Sequence, residues 1–150
     1  MRIVALLILM GAASCTAPSR ARDAFGTWKV NSVRSTGPSP KSVIVRFEPH
    51  AKGEVFTMDA IDGDGRATSS STILYLDGKP RDFQGLECSG TQSSRRVDSR
   101  TVEILRKCTS GEWARFVRRL AGQPKELVLE ITEQQTNGRR FERRLVLERQ

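Results

Sequence analysis

The sequence predicts an all-β domain, a single antiparallel meander of about eight to ten strands that closes into a barrel. Three observations carry this expectation. From Phe25 onward, short runs alternate apolar and polar residues with a period of two. Gly, Pro, Asp and Asn interrupt those runs at regular intervals, and no amphipathic helix of useful length is visible. A meander this long has two edges to protect, and curling into a barrel protects them.

The elements follow in order. Residues 25–33 (FGTWKVNSV) open the sheet and lead into a loop carrying Gly37-Pro38-Ser39-Pro40. Residues 43–48 end at Pro49 and turn at Lys52-Gly53; residues 54–61 lead into Asp62-Gly63-Asp64-Gly65. Residues 67–76 stop at Asp77-Gly78, a strong hairpin signal because both positions tolerate positive φ. Residues 81–88 form a weaker strand, interrupted by Gly85. Residues 91–97 turn at Asp98-Ser99 into 101–108, and 113–120 and 126–132 are separated by Gly122-Gln123-Pro124. Residues 140–148 close the series after Asn137-Gly138.

Register can be tested on paper. A three-residue loop 136–138 with Gly138 left-handed sets Leu127 opposite Leu147, Leu129 opposite Leu145, and Glu130 opposite Arg144. Apolar then meets apolar and acid meets base. Equal offsets around Asp98-Ser99 bring Cys88 within a residue or two of Cys108.

Residues 1–15 set the compartment. Arg2 and the terminal amine make a positive head, residues 3–10 are apolar, and Gly11-Ala12-Ala13-Ser14 is a small-residue exit. An apolar helix of about eight residues covers about 12 Å of a hydrocarbon core about 30 Å thick, so it is an export signal and not a permanent span. Ala12-Ala13-Ser14-Cys15 resembles the lipobox of bacterial lipoproteins. That resemblance implies cleavage before Cys15, acyl chains on its sulfur and a stable membrane anchor. The same small residues also suit an ordinary secretory peptidase, which would release a soluble secreted or periplasmic protein. Thr16 stands where Asp would mark inner-membrane retention, which in a Gram-negative cell favours the outer membrane, facing the periplasm. The division is therefore a signal peptide at 1–14, an acylated cysteine and polar tether at 15–24, and one domain at 25–150.

The chain holds 25 Lys and Arg against 17 Asp and Glu, a formal charge of +8 that falls by one when Arg2 is removed. Export and the lack of a base-stacking motif argue against nucleic acid. Anionic lipid headgroups or lipopolysaccharide phosphates are the nearer partners. With Cys15 acylated, Cys88 and Cys108 form an even pair in an oxidising compartment, so a structural disulfide is expected.

Gly26-Thr27-Trp28, near the start of the first strand, resembles the lipocalin and wider calycin pattern. The likeness extends to small bacterial secreted lipocalin-like proteins through Asp77-Gly78-Lys79-Pro80, through Arg96, Asp98, Thr101, Val102 and Glu103, and through the terminal Glu148-Arg149-Gln150. It implies a barrel whose floor is plugged by Trp28, entered past Gly26, with Arg143, Arg144 or Arg149 over the indole ring. The large first lipocalin loop, the C-terminal helix and the helical lid of fatty-acid-binding proteins are absent.

Enzyme chemistry finds little support. His50, the only histidine, sits beside a turn, and no serine has an identifiable base. Asp62-Gly63-Asp64-Gly65 departs from a calcium loop at Arg66 and Ile73, so it reads as a turn; no metal site and no cofactor are expected. A pocket is the stronger expectation. Trp113, Arg115, Val117 and Arg119 share one strand face, and Phe141, Arg143, Leu145 and Leu147 share another. If the apolar members point inward, Arg115 and Arg143 accompany them and could hold a ligand anion bidentately, with Tyr75 adding a hydroxyl. The expected function is thus non-enzymatic binding of a small amphipathic, anionic, lipid-like or fatty-acid-like ligand. The alternative is an envelope interaction protein with a filled barrel, contacting lipopolysaccharide, peptidoglycan or a protein. An interior void reaching Arg115 or Arg143 separates the two.

Overall fold

The computed structural model describes residues 24–37, 40–85, 88–121 and 126–150. The expected signal peptide at 1–14, Cys15 and the expected tether up to residue 23 lie outside the described residues. Ten strands follow one another: β1 (Gly26–Val30), β2 (Ser42–His50), β3 (Gly53–Ile61), β4 (Ala67–Leu74), β5 (Arg81–Gln84), β6 (Ser89–Arg96), β7 (Thr101–Cys108), β8 (Trp113–Leu120), β9 (Glu126–Gln134) and β10 (Arg140–Arg149). They form one sheet in the order β4-β3-β2-β1-β10-β9-β8-β7-β6-β5, so the first and last strands pair and the sheet curls on itself. This is the predicted antiparallel meander.

Local chemistry fixes the register. Leu127 pairs with Leu147, Leu129 with Leu145 and Glu130 with Arg144, as the hairpin rule requires. Gly138 adopts φ 80°, a left-handed value that costs an L side chain steric strain. On β6 and β7, Gly90 faces Cys108, one residue off the offset expected from Asp98-Ser99, because Arg96 pairs with Val102 and five residues, 97–101, lie between them. The Cys88–Cys108 disulfide forms, with Cα atoms 5.7 Å apart.

The Asp77-Gly78 signal has a different outcome. It does not join paired strands, since β4 and β5 are the two edges of the sheet. Asp77 instead bridges to Arg95, the Gly78 amide donates to the Ser94 carbonyl, and Arg81 clamps the Asp77 carboxylate through Nη1 and Nη2 at 2.9 and 2.8 Å. Hydrogen bonds from Arg81 and from the Lys79 amide hold that carboxyl well below the usual carboxylate range. The edges are thus joined by individual bonds: the Leu76 amide donates to Ser94 Oγ, and Gln92 Nε2 donates to Thr72 Oγ1.

Residues 31–37 take over where β1 stops. The Asn31 amide donates to the Val146 carbonyl, and Thr36 exchanges backbone bonds with Arg144, which continues the cover along β10. Alternate residues of the long strands turn inward and form one core, including Trp28, Val45, Phe47, Phe56, Leu74, Ile104, Leu129 and Leu145, while β6 buries the polar Gln92 and Ser94.

A meander places successive turns at opposite ends. Ala24, the β2–β3 turn and the end of β10 share one pole, where Gln150 donates its amide to the Thr27 carbonyl. Trp28 seals it. The ring is fully buried, its Nε1 donates to the Ala24 carbonyl at 2.8 Å, and the Arg149 guanidinium lies 4.7 Å over it. Of the three arginines considered for that position, Arg149 takes it. Gly26 permits the entry with φ 121°, pairing with Phe47 on β2.

Candidate functional site

The opposite pole is open. A cleft of about 360 Å³ lies among the starts and ends of β4 to β10, lined by Thr68, Ser70, Phe83, Arg106, Ala114, Phe116, Glu133, Phe141 and Arg143, with Cys88 and Cys108 at its wall. Below it the core is solid. Ile104, Leu129, Leu145 and Phe56 exclude solvent almost completely.

Arg106 is the unusual group. Val102, Ile104 and Arg106 alternate onto the inward face of β7, so the strand that builds the core also carries a cation into the cleft. The guanidinium lies 4.5 Å from the Phe83 ring and 5.0 Å from the Phe116 ring. Its Nε donates to Gln92 Oε1 at 2.8 Å, and Gln92 is itself held by Thr72. Among the described residues no carboxylate pairs with it. Desolvation pushes its pKa down to about 10. Facing rings stabilise a guanidinium by about 0.5–2 kcal/mol each, but a desolvated cation is fully compensated only by an anion.

The expected site residues divide. Arg143 lines the cleft as predicted, but its Nη2 donates to both carboxylate oxygens of Glu133, at 2.8 and 2.7 Å. Arg115 does not reach the interior. It is half exposed on the outer face, where its Nε donates to Glu103 at 2.6 Å beside Arg95. Trp113 lines the cleft at its rim, but Arg115, Val117 and Arg119 beyond it lie on the outer face; Ala114, Phe116 and Arg118 point inward. Tyr75 lies past the end of β4, on a separate recess of about 160 Å³ at the gap between the sheet edges. The Arg81 guanidinium stacks 3.9 Å over its ring, so Tyr75 and Arg143 line different cavities.

Two further groups are accounted for locally. His50 ends β2 and its Nδ1 accepts the Lys52 amide. Asp62 Oδ1 accepts the amides of Asp64 and Arg66, so that carboxylate closes its own turn.

Sequence reasoning missed Arg106 and Arg118. Arg118 on β8 is buried opposite Glu54 on β3, Nη1 to Oε2 at 2.6 Å; Arg96 Nη2 adds a bond to Glu54 Oε1 at 2.8 Å. The alternation Val102-Ile104-Arg106 was a signal for the first. The second needed a contact across the barrel.

The curled ten-stranded meander, plugged at one pole and hollow at the other, is of the lipocalin and calycin type. Zebrafish ileal bile acid-binding protein, crystallised with cholic acid, superposes with a TM-score of 0.54 at 12% identity, over 85% of this chain and 99% of that one. A secretory abundant heat soluble protein from Ramazzottius varieornatus superposes with a TM-score of 0.62 at 7% identity, over 87% of this chain and 97% of that one. At such identities the likeness is one of fold. No protein-family model matches the chain, and no curated protein sequence matches it.

Proposed function

We propose that this chain is an exported, lipid-anchored envelope protein whose barrel binds a small amphipathic anion, non-enzymatically, in the open-pole cleft. The observation that carries the reading is Arg106: a desolvated guanidinium between Phe83 and Phe116, without a carboxylate partner among the described residues, inside a cleft of ligand-binding size. A carboxylate in the cleft would supply the missing charge and gain a charge-assisted hydrogen bond in a site of low dielectric. Phe83, Phe116 and Phe141 would cover its apolar part. The bile acid-binding neighbour uses the same fold for an amphipathic carboxylate, which supports the ligand class. The void reaches Arg143, which favours binding over a wholly filled barrel.

Anchoring rests on the leader and on Cys15. With Thr16 after the cysteine, the proposed location in a Gram-negative cell is the outer membrane. The test has two arms. Native mass spectrometry of protein purified from its own host should reveal an anionic adduct in the wild type that is lost in Arg106→Met; equal retention by the variant would exclude Arg106 as the anchor. Cys15→Ser should abolish palmitate labelling and membrane association, and a labelled variant would refute acylation.

A further inference from the structure

β6, with the sequence SGTQSSRR, has no apolar side chain, and Gln92 and Ser94 are buried on it. Buried polar groups persist where hydrogen bonds satisfy them. Ser94 Oγ accepts the Leu76 amide, which helps to join the two sheet edges. Gln92 does something further. It stands opposite Arg106 in the β6–β7 register, where its Oε1 accepts Arg106 Nε at 2.8 Å, and its Nε2 donates to Thr72 Oγ1 on β4 at 3.0 Å. A guanidinium only donates, so the amide oxygen has to face Arg106 and the amide nitrogen has to face β4.

Every contact of the Arg106 guanidinium among the described residues is therefore neutral: the Gln92 carbonyl and the rings of Phe83 and Phe116. Nε is engaged, while Nη1 and Nη2 have no hydrogen-bond partner among the described residues, and the side chain lines the cleft. Glutamate at position 92 would occupy the same space and could still accept a bond from the Thr72 hydroxyl. It would also pair with Arg106 and take the place of an external anion.

We propose that Gln92 is the specificity-determining residue of the cleft. Its carbonyl fixes Arg106 by Nε, which leaves both Nη groups for the two oxygens of a ligand carboxylate, and its lack of charge reserves the guanidinium for that ligand. The proposal rests on the binding role given to Arg106 above. An acidic residue at this position would stabilise the fold and silence the site, so the amide here serves binding at the expense of stability.

Octanoate and octan-1-ol share a chain length and differ in the head, so the ratio of their affinities reads carboxylate recognition separately from the fit of the chain. Isothermal titration of the purified protein with both should show octanoate preferred by about tenfold or more in the wild type. Gln92→Glu should lose that preference, bind octan-1-ol within about twofold of the wild type, and melt a few degrees higher. A preference retained in this variant, a parallel loss of both ligands, or a lower Tm would each overturn the proposal. Gln92→Met keeps the charge of Arg106 and releases its Nε; its preference should shrink severalfold, and a full preference would overturn the positioning of Arg106 even if Gln92→Glu does not fold. Arg106→Met separates the two levels of the argument. If it keeps the octanoate preference, the binding role of Arg106 fails; if it loses the preference while Gln92→Glu keeps it, only the role of Gln92 fails.

Discussion

Arg118 and Glu54 meet across the barrel interior from β8 and β3, 64 residues apart in sequence, and both are buried. Arg118 Nη1 and Nη2 both donate to the Glu54 carboxylate, while Arg118 Nε has no hydrogen-bond partner among the described residues. Arg118→Ala leaves a buried carboxylate with only Arg96 beside it, so chemical denaturation should show a loss of about 3–5 kcal/mol. Glu54→Leu/Arg118→Met removes both charges and should recover most of it. A double variant as unstable as the single one would mean that the pair stabilises the fold beyond its mutual neutralisation.

Arg106 should separate stability from binding. Arg106→Met removes a desolvated charge while keeping an apolar stem between Phe83 and Phe116, so Tm should stay level or rise by a few degrees while octanoate affinity is lost. Thermal scans with and without octanoate check both.

Burial lowers the Arg106 pKa to about 10, well below its value in the unfolded chain. The charged form is therefore less stable folded than unfolded; this penalty is fully present below about pH 10 and is relieved as pH climbs from there toward the unfolded-state value. Anion binding needs the charged form. Octanoate affinity should be flat from pH 7 to 9 and fall about tenfold per unit above pH 10 in the wild type, measured against Arg106→Met as baseline.

Trp28→Ala opens the sealed pole and should cost about 3–5 kcal/mol, as removal of a large buried ring does. Arg149→Ala removes the cation above that ring but leaves the indole in place, and should cost less than Trp28→Ala. Comparable losses in the two variants would assign the seal to Arg149 instead of the indole.

Reducing the disulfide, or replacing both Cys88 and Cys108 with Ser, should lower stability by about 3 kcal/mol, given a sequence separation of 20. Since both cysteines line the cleft, octanoate affinity measured in the same samples reports how far the disulfide also shapes the site.

Strand order and the β9–β10 register were legible because they depend on short-range chemistry, the left-handed Gly138 and leucines at matching offsets. The facing of β8 was not. WARFVRRL carries Trp and Val on one face and Phe and Leu on the other, with arginines on both, so alternation alone cannot orient it. What orients it is Glu54, a single acidic residue on a distant strand that accepts Arg118 inside. Asp77-Gly78 misled for a related reason. A dipeptide can specify a bend, but which strand lies beside it was decided by Ser94 and Arg95, beyond the next hairpin. Arg106 was readable from alternation on β7, yet its lack of a carboxylate partner among the described residues emerges only once Glu103 is seen on the outer face, serving Arg95 and Arg115.

Ala24 and Gln150 both lie beside Trp28, at the end of the molecule away from Phe141 and Arg143. Cargo or carrier can therefore be fused to either side of the domain, or the domain immobilised on a sensor chip through its N-terminal side, with the entrance still facing solution.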